Sequence, residues 1–416
     1  MISCPLKEAV SSAPLWIQKT KIWTCREVDE LADLYTAAFY KCGMKQGSRI
    51  AIEPYSAPAT MAMLFAAWRL GAAICPLHLR LTPAGRDAIL QRLQPHLVVE
   101  RDFCPGLQRL SITTIDSQQP ALFLMTSGTT GEPKLAVLTC HQLFANAYGV
   151  LDLLGLQPGD RWLLNLPLFH VGGLSILIRC LLAKAAVVSD ADCPSITHIS
   201  SVPTQLYRAT PVYKTLRCLL LGGAPVSHYP QSLPVFVTYG LTEMGSMVLA
   251  KKDPADGYLG FALPHRNVRL AEDGEILVGG ECLFQGYWEQ GRLIPPEPWF
   301  PTKDVGHFDP RRGFKILGRK DFQFISGGEN IQPEEIESYL LQIPGVEEAV
   351  VAPRKDPEFG ARPVAFVVGS LDRKTMRAWL SAHLPSYKIP VDLILLPQIP
   401  KKGMKVDRRV LLLSQF

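Results

Sequence analysis

The stretch Leu122-Phe-Leu-Met-Thr-Ser-Gly-Thr-Thr-Gly-Glu-Pro-Lys134 holds the densest set of groups able to grip an anion. An apolar run that predicts a buried strand stops at Thr126 and Ser127. It gives way to Gly128, Thr129, Thr130 and Gly131, then to Pro133 and Lys134. Small residues let the backbone approach an anion closely, hydroxyls and backbone N–H groups donate to phosphate oxygens, and a lysine adds charge. The spacing is not the G-x-x-x-x-G-K-[ST] of the nucleoside-triphosphate P-loop. An ordinary Ser/Thr/Gly surface loop has the same composition, so both readings stand at this point.

Other segments could complete a nucleotide site. Thr238-Tyr-Gly-Leu-Thr-Glu-Met244 follows a predicted strand, and ligands of open α/β sheets sit beyond the carboxyl ends of strands. A carboxylate there, Glu243, can hold Mg²⁺ against phosphates; a turn with an exposed Glu reads the same way. In Thr302-Lys-Asp304 the carboxylate can accept from two vicinal hydroxyls of a ribose, or cap the turn before Val305-Gly306. Gly327 and Gly328, in Ser326-Gly-Gly-Glu-Asn-Ile-Gln-Pro-Glu-Glu-Ile336, permit φ > 0 and close backbone approach. A glycine turn before a helix starting at Pro333 is compatible with that reading. The basic tail Ile399-Pro-Lys-Lys-Gly-Met-Lys-Val-Asp-Arg-Arg409 suits a solvated face. His170, in Leu166-Pro-Leu-Phe-His-Val-Gly-Gly-Leu-Ser175, stands where a helix should follow a strand, and a structural histidine is the plain reading.

Taken in order along the chain, these segments resemble the signatures of the acyl-adenylate-forming superfamily: acyl-CoA ligases, peptide-synthetase adenylation domains and luciferases. The resemblance runs from about Trp23 to Arg409 and rests on five separate motifs. It implies ATP, Mg²⁺ and CoA as cofactors and co-substrates, and a small-molecule carboxylic acid as partner. It implies that Thr126, Ser127, Gly128, Thr129, Thr130, Gly131 and Lys134 cradle phosphates. By the same resemblance Gly222, Gly223 and Ala224, with Thr238, Tyr239, Gly240 and Thr242, are expected to line the nucleotide site, Glu243 to hold the metal, Asp304 to bind the ribose hydroxyls and Arg319 to reach the nucleotide. In the family the loop matching Gly327 and Gly328 swings in for the thiol step and helps form the pantetheine tunnel, and Asp321 matches its hinge. Lys405 matches the lysine that contacts the carboxylate and α-phosphate during adenylation. Met404 intervenes between Gly403 and Lys405, which leaves Lys402 as the alternative. The family usually has T-G-D where this chain has Lys303 at the middle position.

His170 aligns with the aromatic or His gate of the acyl pocket, so the implied catalytic set is Lys405, Glu243, Thr126 and His170. Amino-acid-activating relatives usually carry an Asp shortly after that position. No acidic residue lies between Leu166 and Arg179, which disfavours an amino-acid substrate. Together with Val202-Pro-Thr-Gln-Leu-Tyr207 and Leu220-Leu-Gly-Gly-Ala-Pro225, the motifs look most like the o-succinylbenzoate–CoA ligases of menaquinone biosynthesis. The alternatives are a fatty or aryl acid–CoA ligase, a carrier-protein acylating adenylation enzyme, and a non-catalytic homologue acting as a binding or scaffold protein.

The elements that must position these residues follow from the hydrophobic pattern. Thr24-Cys-Arg-Glu27 predicts a capping box before an amphipathic helix to about Cys42. Strands are expected at 49–53, 72–77, 96–100, 162–166, 186–189, 218–221 and 235–238, with helices at 57–70 and from Pro83. This βαβ rhythm predicts largely parallel, doubly covered sheet. Val268 to Val278 predicts an antiparallel hairpin turning at Asp273-Gly274. Beyond Gly318-Arg319 a shorter α+β pattern begins. The expectation is an α/β fold with a large N-terminal domain, residues 1–318, of βαβ-type sheets plus a small antiparallel part, and a small mobile C-terminal α+β domain, residues 319–416. A chain of 416 residues exceeds what one core usually serves.

The formal charge of +5 is mild, and no basic block interleaves with aromatics, so a nucleic-acid role is not expected. The ten cysteines form no C-x-x-C, which points to reduced thiols in a cytoplasmic protein rather than a zinc site or disulfide scaffold. The N-terminus does not read as a signal peptide. The most apolar run, Val171 to Val188, is interrupted by Arg179 and Lys184 and predicts a helix packed on a sheet, not a membrane span. Assembly into a homo-oligomer is left open.

Overall fold

Thr24 begins the first long helix as its capping box requires. Its Oγ1 accepts the Glu27 N–H at 3.2 Å while Glu27 Oε2 accepts the Thr24 N–H at 2.7 Å, and the helix Cys25–Lys41 follows. In this computed structural model the described residues are all except 10, 20, 55–57, 80, 128–132, 209–212, 225, 227–228, 255, 328, 403–404 and 414–416.

Two large sheets carry the first part of the chain. In the eight-stranded sheet the order is Ser246–Lys252, Val235–Leu241, Cys218–Leu221, His198–Ser201, Arg161–Leu163, Ala186–Val188, Pro14–Gln18 and Lys21–Thr24. Its six inner strands are parallel and only the two edge pairs are antiparallel. In the seven-stranded sheet Leu97–Val99, Arg49–Ile52, Ala73–Pro76 and Pro120–Ser127 run parallel. Here the βαβ rhythm ends. Pro120–Ser127 pairs antiparallel with Pro133–Thr139, and the sheet continues antiparallel through Gly286–Glu289 to Arg292–Ile294. The reason is chain length, because residues 128–132 are too few for the crossover that a parallel return requires.

One core takes in both sheets. Leu15 and Trp16 from the first, Ile50 and Ile52 from the second, and the helices Cys25–Lys41, Pro58–Arg69, Cys140–Leu154 and Val171–Leu182 share it. Helix Pro58–Arg69 is buried throughout except Ala59, as its apolar sequence demands. At its end Arg69 is neutralised by Asp29 and Asp33 of the neighbouring helix, which also hold Lys7 at 2.7 and 2.9 Å.

A four-stranded antiparallel sheet follows, Asn267–Leu270, Glu275–Gly279, Phe300–Asp309 and Gly313–Arg319. Its first hairpin turns at Asp273-Gly274, with Gly274 at φ +80°. After Arg319 the chain builds a second core. Val346–Asp356, Gly360–Gly369 and Asp392–Leu395 form a three-stranded sheet. Alternation sends Val351, Ala365 and Val367 to the face covered by helices Pro333–Leu340 and Arg373–Ser381, and Val350, Ala352, Val364 and Phe366 to the face covered by Ile399 and Leu411. No helix among the described residues is long and apolar enough to cross a membrane.

Candidate active site

The phosphate-loop strand and its return strand put Thr126 opposite Lys134 and Ser127 opposite Pro133. Gly128, Thr129, Thr130 and Gly131 lie outside the described residues. The next strand, Gly286–Glu289, brings Tyr287 into this corner. Its hydroxyl donates to Glu243 Oε1 at 2.6 Å, with the Thr126 side chain beside it. Lys134 Nζ stands 4.7 Å over the Tyr287 ring and 3.6 Å from Glu289 Oε1. Glu243 sits in the 3₁₀ turn Thr242–Met244 that ends strand Val235–Leu241, and is only 9% exposed. Burial, and next the Glu243 charge, push the Tyr287 phenol up, so it stays a donor at neutral pH. Three residues expected to share phosphate and metal chemistry, Thr126, Lys134 and Glu243, therefore meet at one tyrosine. Among the chain's twelve tyrosines Tyr287 carries no motif, only its place in a short alternating strand.

A second cluster forms around Asp304. Its Oδ2 accepts from the Tyr239 hydroxyl at 2.6 Å, and its Oδ1 from Arg319 Nη1 at 3.1 Å. Asp304 and Arg319 are direct partners in the register of their strand pair. Arg319 also donates to the Thr302 carbonyl at 3.0 Å and to Asp321 Oδ2 at 3.0 Å. Burial pushes the Asp304 carboxyl up against the opposing pull of Tyr239 and Arg319. Burial and the Asp304 charge push the Tyr239 phenol up as well.

The glycines fit close contact. A Cβ at Gly222 would lie 2.2 Å from Thr238 Oγ1, and one at Gly240 would lie 2.1 Å from the Ser246 carbonyl, where the strand register shifts. Gly223 is at φ +76°, Ala224 is exposed and Thr242 is half-buried. Lys303 occupies φ +62°, a conformation suited to glycine, and its N–H donates to Glu275 Oε1 at 2.9 Å. The departure from T-G-D thus leaves the backbone in a glycine-like shape with a lysine on it.

His170 is the exposed N-cap of helix Val171–Leu182 and makes no side-chain cap bond. It packs with Phe169, centroids 4.7 Å apart, and edge-on to His78 at 6.2 Å. Further along that helix Arg179 is 2% exposed. Its Nη2 donates to Asn146 Oδ1 at 3.3 Å and to Ser246 Oγ at 3.2 Å, while Nε has no partner among the described residues. No carboxylate pairs with it among the described residues. Burial, and next the nearby Arg266, push this guanidinium down to about 9. A buried cation without a counter-charge is costly unless an anion joins it. In the sequence Arg179 merely interrupts an apolar run; that interruption is the signal, since arginine is rarely buried unpaired.

In the C-terminal part Gly327 is at φ +58°, its N–H donates to the Phe359 carbonyl at 2.9 Å, and a Cβ there would lie 2.7 Å from Phe359 Cδ1. Gly328 lies outside the described residues. Lys405 and Lys402 are backbone partners in the hairpin Lys401–Lys402 / Lys405–Val406. Their side chains lie outside the described residues.

Comparison with known proteins places the chain as a whole. The profile of the AMP-binding enzyme family matches residues 4–112 and 106–288, and that of the AMP-binding enzyme C-terminal domain matches residues 335–404. A 2–succinylbenzoate–CoA ligase of Salmonella typhimurium is 34% identical over 97% of this chain and 95% of its own length. A substituted Escherichia coli MenE with bound OSB-AMS superposes with TM-score 0.83 at 29% identity, over 100% of this chain and 99% of that one. A Bacillus subtilis o-succinylbenzoate coenzyme A synthetase in complex with ATP and magnesium ion has the same fold, with TM-score 0.84 at 24% identity over 99% of each chain.

Proposed function

This chain belongs to the AMP-binding enzyme family, and we propose from that premise that it is an AMP-forming acid–thiol ligase joining o-succinylbenzoate to CoA, as in menaquinone biosynthesis. The substrates are the acid, ATP and CoA. First a carboxylate oxygen attacks the α-phosphorus and pyrophosphate leaves, giving the acyl-AMP. Then the CoA sulfur attacks the acyl carbon, the acyl C–O bond breaks, AMP leaves and the thiol proton is released. Both steps depend mainly on positioning and charge neutralisation.

The residues divide that work. Thr126, Ser127 and Lys134 flank the phosphate loop, and Lys134 supplies positive charge. Gly128, Thr129, Thr130 and Gly131 complete that loop. Bound Mg²⁺ supplies charge neutralisation at the phosphates, and Glu243 is the carboxylate that would hold it. The donor set fits, because Mg²⁺ is commonly bound by one or two carboxylates plus phosphate oxygens. Tyr287 orients Glu243. Gly222, Gly223 and Ala224 with Thr238, Tyr239, Gly240 and Thr242 wall the nucleotide, and Asp304, steadied by Tyr239 and Arg319, accepts from the ribose. Lys405 meets the reacting carboxylate and α-phosphate, His170 gates the acyl pocket, and Gly327 with Gly328 admits the thiol arm. The division into residues 1–318 and 319–416, with rotation about Asp321 between the half-reactions, is part of this reading. The separate core beyond Arg319 supports it. A cytoplasmic location is also part of it, supported by ten cysteines that form no disulfide.

The observation that carries the acid is Arg179. o-Succinylbenzoate has two carboxylates, and only one reacts. The other needs a cation, and a buried guanidinium with no acidic partner among the described residues provides one on the helix that starts at His170. The test compares o-succinylbenzoate with 2-butanoylbenzoate and 4-oxo-4-phenylbutanoate, each of which keeps one carboxylate. The wild type should prefer the diacid to whichever monoacid reacts by about 10–100-fold in kcat/KM, the scale of one charge-assisted bond. Arg179→Met should erase that preference. A preference that survives the substitution contradicts the assignment.

A further inference from the structure

The tail of the chain is fastened by a buried ion pair that none of the roles above uses. Arg408 opens helix Arg408–Leu413. Its Nη1 donates to Glu337 Oε1 at 2.7 Å and to the Val351 carbonyl at 2.6 Å, and its Nη2 donates to Glu337 Oε2 at 2.8 Å. Glu337 Oε1 also accepts the Val351 N–H at 2.6 Å. The two side chains are 13% and 11% exposed. The guanidinium lies 4.7 Å over the ring of Phe322, the residue after Asp321.

A bidentate guanidinium–carboxylate bond fixes an angle as well as a distance. What it fixes here is the lysine hairpin. Strand Lys405–Val406 ends two residues before Arg408, and the Asp407 N–H closes the hairpin on the Pro400 carbonyl at 2.8 Å. Ile399 and Leu411 bury on either side of it. The helix that carries Glu337 is held at its other end on the nucleotide side. Glu334, one turn earlier, accepts the Arg319 N–H at 3.3 Å and the Gln332 amide at 2.6 Å, and that amide also reaches the Arg319 carbonyl at 3.0 Å. One short helix, Pro333–Leu340, therefore spans from the backbone beside Asp304 to the hairpin of Lys402 and Lys405. Apolar residues could fill the place of a buried ion pair without loss of stability. Fixed geometry is what the ionic pair adds.

We propose that Glu337 and Arg408 are a positioning pair for adenylation, holding the tail-lysine hairpin at the angle the acyl-phosphate step needs and taking no part in the thiol step. This rests on the reading that a lysine of the hairpin serves adenylation.

The test uses the full-length Glu337→Met/Arg408→Met double variant, which removes both partners and leaves Glu334, 3.9 Å from Arg408 Nη2, held by the Arg319 N–H and the Gln332 amide, and Arg408→Lys. ATP–pyrophosphate exchange with o-succinylbenzoate reads the first step, and conversion of purified acyl-AMP by CoA reads the second. Exchange should fall on the order of 100-fold, the cost of a small misplacement of a reacting group, while thioester formation stays within about twofold. Arg408→Lys should recover only part, because an ammonium cannot make both bonds. In a Lys405→Ala background the double change should cost nothing further, since the pair acts through the lysine. Unchanged exchange, equal loss of both steps, or a full additional loss in the Lys405→Ala background overturns the proposal. If Lys405→Ala exchanges normally and Lys402→Ala does not, the lysine assignment alone fails and the Lys402→Ala background decides the pair. If neither lysine matters, the tail reading falls and the pair's role with it. Should the double variant fail to fold, Arg408→Lys decides by the same two assays.

Discussion

Tyr287→Phe removes one oxygen from the middle of the candidate site and leaves the ring in place. The lost hydroxyl donates to Glu243 at 2.6 Å, a hydrogen bond to a charged group worth about 1.5–3 kcal/mol. The ring's other contacts do not use that oxygen: Lys134 Nζ 4.7 Å above it and Phe284 edge-on at 4.8 Å. The packing loss is therefore small, and the effect falls on the carboxylate. Glu243 is 9% exposed, so bulk water replaces the bond poorly and the carboxylate gains freedom to turn away. Loss of that energy from the adenylation transition state amounts to about 10–100-fold in kcat/KM. Because outer partners of a metal ligand tune metal affinity, the Mg²⁺ concentration for half-maximal rate should rise too. The assay is ATP–pyrophosphate exchange titrated with Mg²⁺, beside conversion of supplied acyl-AMP by CoA. The first should fall and demand more Mg²⁺; the second should stay within about twofold. Equal loss of both, or a loss that excess Mg²⁺ leaves unchanged together with an unaltered Mg²⁺ midpoint, would refute Glu243 as the metal carboxylate.

Other substitutions separate the remaining roles. Asp304→Asn should weaken ATP binding about 10–100-fold by calorimetry, the loss of a charged acceptor. Burial raises the Asp304 pKa, so the native protein holds that proton more tightly than the unfolded chain and ionising it costs stability as pH rises from the ordinary carboxylate value through the raised one. Removing that cost, Asp304→Asn should show a more favourable change in unfolding free energy than wild type over that acidic interval in denaturant titrations. Lys303→Gly should raise the unfolding free energy by about 0.5–1 kcal/mol, because Lys303 holds φ +62° and relief of left-handed strain exceeds the entropy that glycine adds to the unfolded chain. Gly327→Val, at φ +58° and with its Cβ facing Phe359, should slow thioester formation from acyl-AMP while pyrophosphate exchange largely survives; parallel loss would place this loop in the nucleotide site instead.

The parts of the fold and site that could be read from the chain are those written in contiguous residues. Thr24 to Glu27 spells a capping box, and Asp273-Gly274 spells a hairpin turn, and both form as spelled. Glu243 and Asp304 stand out as candidates because each sits in a short contiguous string, Glu243 just after strand Val235–Leu241 and Asp304 within strand Phe300–Asp309. Tyr287 does not, because its meaning comes from a contact with Glu243, 44 residues away on a turn between two strands of the other large sheet. Arg179 was visible as a charge in an apolar run, but that its described partners are the neutral Asn146 and Ser246 appears only in the fold. The antiparallel return after Ser127 depends on the shortness of one loop, which periodicity does not weigh. Lys303 looked like a defect in a motif, and the backbone shows that the glycine conformation is kept without the glycine.

The most direct test of the central claim is a product assay with the purified protein, ATP, Mg²⁺, CoA and a panel of carboxylic acids. It should include o-succinylbenzoate, fatty acids, simple aryl acids and amino acids. The account predicts stoichiometric AMP, pyrophosphate and CoA thioester, with o-succinylbenzoate giving the highest kcat/KM. An amino acid or a simple monoacid as the best substrate, transfer to a phosphopantetheinyl carrier protein but not to free CoA, or no pyrophosphate with any acid would contradict it.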